Sequence, residues 1–166
     1  MKLLSVAVPC YNSESYMEHC IESLLKGGEE MEILIVNDGS KDRTAEISDT
    51  YAKKYPTIIK AIHQENKGHG GAVNAGLENA TGLFFKVVDS DDWLKEEALI
   101  AALEVLEKVT RSGNSLDVLI CNYVYEKEGA KHKKVMRYSA LPKDKMITWK
   151  DTRFFKGQYI LMHSVI

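Results

Sequence analysis

The chain has 166 residues, of which 45% are hydrophobic and 28% charged, and its formal net charge is −2. This composition is typical of one soluble globular domain that is long enough to bury a core. The nearly balanced charge argues against a nucleic-acid partner, which needs a basic face. We expect no membrane span in this chain, since no run approaches the roughly 18 apolar residues required. The three cysteines are widely spaced with no C-x-x-C pair, which favours reduced thiols and a cytoplasmic location, including the inner face of the membrane.

Short apolar runs alternate with amphipathic segments along most of the chain. The predicted strands are residues 3–8, 32–36, 58–63, 83–88 and 116–121, and a predicted helix follows each of the first four. Ser13 or Ser15 can cap the first helix, and Ser15 and Glu18 are spaced as a capping box. The apolar stripe of this helix runs from Met17 to Leu25 and is stopped by Gly27-Gly28. Alternating units with continuous apolar strands predict an α/β fold, with a mostly parallel sheet covered by helices on both faces.

The pattern changes after residue 121. Residues 123–125 and 135–138 flank a charged turn and predict an antiparallel hairpin. Residues 160–166 form an apolar run with no stop signal after it. We therefore expect the chain to be part of a longer protein, and we expect this end to favour association, including formation of a homo-oligomer.

The most informative segment is Asp89-Ser90-Asp91-Asp92, which directly follows the apolar run 83–88. Three carboxylates within four residues repel one another unless a cation holds them. Mg²⁺ and Mn²⁺ prefer carboxylate oxygens and often bridge them to a substrate phosphate. The segment therefore predicts a divalent metal site for a diphosphate-containing substrate. The alternative is an acidic turn that caps the helix beginning near Leu94.

Polar residues also follow the other three strands of the predicted sheet. They are Pro9-Cys10-Tyr11-Asn12, Asn37-Asp38-Gly39-Ser40 and Asn66-Lys67-Gly68. We expect all four segments to meet in one cleft, because ligands of open parallel sheets bind beyond the carboxyl ends of the strands. Tyr11 is suited to stack on a base, and Asp38 to accept hydrogen bonds from its N–H edge. The alternatives are a half-buried turn aromatic for Tyr11 and a tight turn with helix capping around Asp38.

A glycine-rich loop precedes the third helix and carries two basic side chains. Lys67 lies beside glycines whose backbone N–H groups suit phosphate oxygens, although a solvated lysine is the alternative. We expect His69 to be a surface or capping residue and assign it no catalytic role. The loop is not a dinucleotide-binding fingerprint, because Val73 occupies the third glycine position. The acidic segment is not an EF-hand, since Leu94 and Ile100 stand where Gly and Glu are required.

Four segments, residues 6–12, 35–42, 66–76 and 88–92, together resemble family 2 glycosyltransferases. The resemblance implies a GT-A fold and transfer of a sugar from a nucleoside-diphosphate donor to an acceptor hydroxyl with inversion. It further implies a glycan or lipid-linked acceptor and a place in bacterial surface polysaccharide synthesis. On this pattern, residues 1–110 are the donor-binding half and residues 111–166 begin the acceptor half.

The resemblance also assigns roles to individual residues. The nucleotide-sugar site that it implies comprises Pro9, Tyr11, Asn12, Asp38, Lys67 and Asp89. Asp38 would contact the base, and Lys67 lies where the family places a donor-contacting residue. Asp91 would bind Mg²⁺ or Mn²⁺ directly, and Asp89 would contact the ribose or the water shell of the metal.

The chain departs from the family pattern at several positions. The family often has Asp where Asn37 stands, and Arg where Val73 stands. Its general base is a carboxylate well downstream of the D-x-D segment. Neither Asp144 nor Asp151 lies in a matching motif, so we assign no catalytic base and expect it beyond Ile166.

Two other functions remain compatible with the sequence. A non-catalytic nucleotide-sugar-binding module would keep the donor site and lack the base. A phosphatase with an aspartyl nucleophile also places D-x-D at the end of a strand. In that family, however, a threonine stands where this chain has Trp93, and the motif follows the first strand rather than the fourth.

Overall fold

The computed structural model of the chain describes residues 1–126, 133–139, 141–143, 145–148 and 160–166. The chain divides into two compact units, residues 1–117 and residues 118–166. The two carboxylates weighed as catalytic bases, Asp144 and Asp151, lie outside the described residues. No helix among the described residues combines the length and the apolar character needed to cross a bilayer.

The first unit is built on a four-stranded sheet in which every pairing is parallel. In the order β3-β2-β1-β4, its strands are β1 Leu4–Cys10, β2 Met31–Asp38, β3 Ile59–Gln64 and β4 Phe84–Val87. The helices are α1 Met17–Leu25, α2 Thr44–Lys54, α3 Gly68–Asn79 and α4 Glu96–Arg111. The predicted α/β fold with a parallel sheet is therefore confirmed.

The strand order locates the edge where a ligand is expected. The chain moves from β1 to β2 to β3 in one direction, and then returns to place β4 on the other side of β1. Because parallel crossovers are right-handed, this reversal puts α3 on the opposite face from α1 and α2. The carboxyl ends of β1 and β4 then form the switch point at which open α/β sheets bind ligands.

The core lies around the two central strands. All seven residues of β1 are buried, and so are all residues of β2 except Glu32. Burial on both faces explains why these strands are continuous apolar runs rather than alternating ones. Each buried Leu, Ile or Val side chain contributes about 1.5–3 kcal/mol to the stability of this scaffold.

Gly76 allows α3 to pack closely on β1, because a Cβ at this position would lie 2.5 Å from the Cβ of Ala7. We expect Gly76→Ala to lower the free energy of unfolding by about 1–2 kcal/mol, the overpacking cost exceeding the gain in helix propensity. Gly70 is the matched control in the same helix, because an added Cβ there meets no atom within 4 Å. Gly70→Ala should be neutral or stabilising by up to about 1 kcal/mol. Urea unfolding of both variants measures the difference, and equal effects would contradict the close packing.

The predicted capping box at the start of α1 is wrong. The cap residue is Tyr16, and no side chain caps the helix. Instead the backbone carbonyl of Ser13 accepts hydrogen bonds from the N–H groups of Tyr16 and Met17, at 3.1 and 3.0 Å. Of the two candidate caps, Ser13 has its hydroxyl engaged by the backbone N–H of Tyr11 and by Ser90, and Ser15 lies in the turn that precedes the helix.

The second unit differs from the prediction at its first segment. Residues 116–121 do not form a sheet strand, and Ile120 makes an isolated antiparallel bridge to Val165. None of these six residues is buried and Val118 is 37% exposed, so the apolar run alone decided neither the burial of the segment nor its pairing. The predicted hairpin is confirmed, with strands β5 Tyr123–Tyr125 and β6 Lys134–Met136. A short 3₁₀ turn, Met162–Ser164, follows near the end of the chain.

Candidate functional site

The loops that follow β1, β2, β3 and β4 lie at one edge of the sheet, because all four strands are parallel. Every residue that the sequence analysis assigned to the donor or metal site belongs to these loops or to the strand ends beside them. Pro9 is buried within β1 and paired with Val36. Its fixed φ shapes the end of the strand that leads into the first loop.

Asn12 connects the first two loops. Its backbone N–H donates to Ser40 Oγ at 3.0 Å, and its Oδ1 accepts from the backbone N–H of Lys41 at 2.9 Å. Its φ is 51°, a left-handed conformation that Asn tolerates better than most residues. The neighbouring residue Tyr11 is 49% exposed, so its ring is accessible to a ligand.

Asp42 also connects the loops that follow β1 and β2. Its carboxylate accepts hydrogen bonds from the backbone N–H groups of Glu14 and Thr44, at 3.1 and 3.0 Å. Desolvation on its own would raise the pKa of Asp42, but hydrogen bonds from the Thr44 side chain and from backbone N–H groups outweigh it and lower the pKa below its usual value. The loops are therefore braced by an ionised carboxylate at neutral pH, and the brace weakens only as the pH falls through that lowered pKa.

Asp38 lies at the end of β2 and is only 3% exposed. Its Oδ1 accepts hydrogen bonds from Gln64 Nε2 at 2.6 Å and from the backbone N–H of Lys67 at 2.8 Å. Among the described residues, no hydrogen bond is made to its second oxygen. Gly39 follows with φ of +71°, and a Cβ there would lie 2.8 Å from the backbone nitrogen of Asn66. The third loop thus packs directly over the aspartate and holds its orientation.

Asn37 replaces the aspartate that the family often carries, and its surroundings explain the change. Its Nδ2 lies 3.1 Å from His63 Nδ1, and its Oδ1 accepts from the backbone N–H of Ser40 at 3.1 Å. His63 Nε2 lies 3.0 Å from Asp49 Oδ1. The amide can donate to Nδ1 while Nε2–H donates to Asp49, whereas a carboxylate at position 37 would face the imidazole lone pair.

The acidic segment turns sharply after β4. The backbone N–H of Asp92 donates to the carbonyl of Asp89 at 2.9 Å. Ser90 points inward and is 7% exposed, with its Oγ 3.0 Å from Ser13 Oγ. Asp91 is exposed. The alternative that this turn caps the next helix is not supported, because α4 begins at Glu96 and no side chain caps it.

Two buried thiols, those of Cys10 and Cys20, lie beneath the acidic turn. Burial raises the pKa of the Cys10 thiol to about 12. The pKa of Cys20 is also raised, mainly by burial and then by negative charge nearby, including that of the three aspartates. Cys20 Sγ lies 3.7 Å from the carbonyl oxygen of Asp89. Independently of the thiols, three carboxylates within four residues place negative charge at this corner of the site, which favours a bound cation.

His69 is exposed, as expected, but it makes a contact that its sequence context did not predict. Its Nε2 lies 2.7 Å from Asp89 Oδ1, although 20 residues separate the two in sequence. The side chain of neighbouring Lys67 is exposed at the same edge, and its backbone N–H is bonded to Asp38. A histidine two residues after a basic residue in a glycine-rich loop was the only available signal, and its partner depends on the strand order.

The profile of a family described as Glycosyl transferase family 2 matches residues 5–163, and the chain belongs to that family. It is 41% identical over 127 residues to EpsH of Bacillus subtilis, named as a glycosyltransferase, covering 75% of this chain and 35% of EpsH. It is 36% identical over 124 residues to the glycosyltransferase GlyG of Streptococcus pneumoniae, covering 74% and 39% of the two chains. The resemblance drawn from the four sequence segments is thereby confirmed.

Solved structures give the same assignment. The chain is similar to S. aureus TarS 1–349 in complex with UDP, with a TM-score of 0.65, 32% identity, and coverage of 78% of this chain and 37% of that one. The GT-A fold predicted from the resemblance is confirmed by this similarity. The chain spans between a third and two fifths of the length of the curated relatives EpsH and GlyG.

Proposed function

We propose that this chain is the donor-binding part of an inverting, metal-dependent glycosyltransferase, which moves a sugar from a nucleoside diphosphate to an acceptor hydroxyl. The observation that carries the proposal is that four polar loops contact one another at the carboxyl edge of a parallel sheet, with Asp38 and the acidic turn among them. The structures of TarS with UDP and with UDP-GlcNAc support this class of donor.

The nucleoside would lie against the loops that follow β1 and β2. Tyr11 presents an accessible ring for stacking on the base. It precedes Asn12, whose hydrogen bonds connect the loops after β1 and β2. Asp38 is held by Gln64 and Lys67 through one oxygen, which leaves its second oxygen to accept a hydrogen bond from the base. Pro9 supports this corner from within β1.

The diphosphate would lie between the start of α3 and the acidic turn. Lys67 and the backbone N–H groups at the start of α3 are suited to phosphate oxygens. The acidic turn offers hard oxygen ligands and a negative potential, so its residues fit Mg²⁺ or Mn²⁺. Asp91 would hold the ion directly and Asp89 would contact the ribose or the coordinated water. When bound, the cation neutralises charge that develops on the leaving diphosphate.

The biological role rests on the relatives rather than on the site. GgaA of Bacillus subtilis, named as a minor teichoic acid biosynthesis protein, is 33% identical to this chain over 133 residues. This supports bacterial surface polysaccharide synthesis with a glycan or lipid-linked acceptor. The acceptor half at residues 111–166, the general base, the cytoplasmic location and the homo-oligomer stay predictions.

Calorimetric titration with a panel of nucleoside diphosphates tests the donor site. We expect one member of the panel, with UDP the first candidate, to bind in Mn²⁺ or Mg²⁺ and to bind more weakly in EDTA. The matching nucleoside alone should bind more weakly than the diphosphate, because it lacks the phosphate and metal contacts. A chain that binds no member of the panel in either metal would contradict the proposal. Phosphate release from p-nitrophenyl phosphate would favour the phosphatase instead.

A further inference from the structure

One three-residue segment of the chain is bonded to both aspartates that the proposed donor site depends on. At its first residue, the backbone N–H of Lys67 donates to Asp38 Oδ1 at 2.8 Å, at the end of β2. At its last residue, His69 Nε2 lies 2.7 Å from Asp89 Oδ1, beyond the end of β4. Since β2 and β4 flank β1 in the sheet, this segment links the two strands on either side of β1 at their carboxyl ends.

The direction of the second contact follows from the chemistry of its partners. An ionised carboxylate only accepts hydrogen bonds, so the imidazole donates its Nε2–H to Asp89. A hydrogen bond to one carboxylate oxygen restricts the rotation of the Asp89 side chain. Gly68, with φ of +75°, provides the turn that brings His69 to this position at the start of α3.

We propose that His69 is a positioning residue of the donor site, which acts by holding the carboxylate of Asp89 in the orientation that binds the donor. The inference rests on the proposed function, because it assigns a role within the same site. At metal sites, the partners that orient a ligating side chain typically change metal affinity or activity by about 10–100-fold when they are removed. His69 therefore sets donor affinity through Asp89 rather than through its own contact with the donor.

The exposure of the pair argues that its main effect is not on folding stability. The side chains of His69 and Asp89 are 55% and 27% exposed, and ion pairs of this kind contribute about 0–1 kcal/mol. Arg111 and Glu107 form a pair of similar exposure, 78% and 35%, at the far end of α4. Arg111→Ala is therefore a matched control that removes an exposed ion pair away from the proposed site.

The test compares His69→Ala, His69→Gln, Asp89→Ala, the double variant His69→Ala/Asp89→Ala and the Arg111→Ala control. Nucleoside diphosphate affinity is measured by calorimetry in Mn²⁺ and in EDTA, and stability by urea unfolding. We expect His69→Ala to weaken binding by about tenfold, the lower end of the range for such partners. His69→Gln should restore most of the affinity, because its amide N–H can donate to the same oxygen. Arg111→Ala should bind as the wild type does.

The double variant decides whether His69 acts through Asp89. If it does, adding His69→Ala to Asp89→Ala should change affinity no further, because coupled residues are not additive. Additive losses would overturn the proposal by showing an independent contact with the donor. Wild-type affinity in His69→Ala, or no recovery in His69→Gln, would also overturn it. These outcomes all require a wild-type chain that binds, whereas a wild type that binds no nucleotide contradicts the proposed function itself.

Discussion

Asp91→Ala is expected to remove the metal-dependent part of nucleoside diphosphate binding and to leave the fold intact. Asp91 is exposed, and among the described residues its carboxylate makes no hydrogen bond or ion pair. Deleting it should therefore cost no native contact within that part of the chain. It should also relieve repulsion from Asp89 and Asp92, so the free energy of unfolding should stay the same or rise slightly without metal.

Calorimetry with UDP, or with the diphosphate that binds best, measures this effect in Mn²⁺ and in EDTA. The wild type should bind more tightly in Mn²⁺, and Asp91→Ala should bind equally in both buffers. Glu104→Ala is a suitable control, because Glu104 is an exposed carboxylate on α4 outside the acidic turn. An Asp91→Ala variant that keeps the wild-type gain in Mn²⁺ would remove the metal site from the proposed function.

Asp38→Ala is expected to weaken nucleotide binding by roughly ten- to a hundredfold, with or without metal. Losing a hydrogen bond to a charged group costs about 1.5–3 kcal/mol, and each 1.4 kcal/mol is about tenfold in affinity. The effect should not depend on metal, because Asp38 would contact the base rather than the phosphates. A loss seen only in Mn²⁺ would contradict this assignment.

Asp38→Ala also removes the acceptor for Gln64 and for the backbone N–H of Lys67, so it should lower the free energy of unfolding. Asp38→Asn separates the two effects. Its Oδ1 can still accept both hydrogen bonds, while the second oxygen is replaced by an amide that donates. We expect Asp38→Asn to remain close to wild type in urea unfolding and to lose affinity almost as much as Asp38→Ala. Wild-type affinity in Asp38→Asn would show that the second oxygen does not contact the base.

The elements of the fold could be predicted wherever the signal is local. A few turns of local sequence are enough to predict the apolar stripe of α1 and its end before Gly27. The helix ends at Leu25, as expected. The start of α1 was missed, because the hydroxyl of Ser13 is hydrogen-bonded to Ser90, 77 residues away, and Ser15 lies in the turn before the helix. Residues 116–121 were missed for a related reason, since their pairing with residues 164–166 is not encoded in their own pattern.

By itself, the sequence determined the alternation of strands and helices, the family, and the polar residues placed at the end of each strand. These features follow from hydrophobic periodicity, turn chemistry and short motifs, all of which act over a few residues. Only the tertiary structure decided which side chains meet. The strand order β3-β2-β1-β4 brings His69 to Asp89 and His63 to Asn37. Such contacts depend on which strands lie side by side, and that choice is made by the packing of the whole sheet rather than by any single segment.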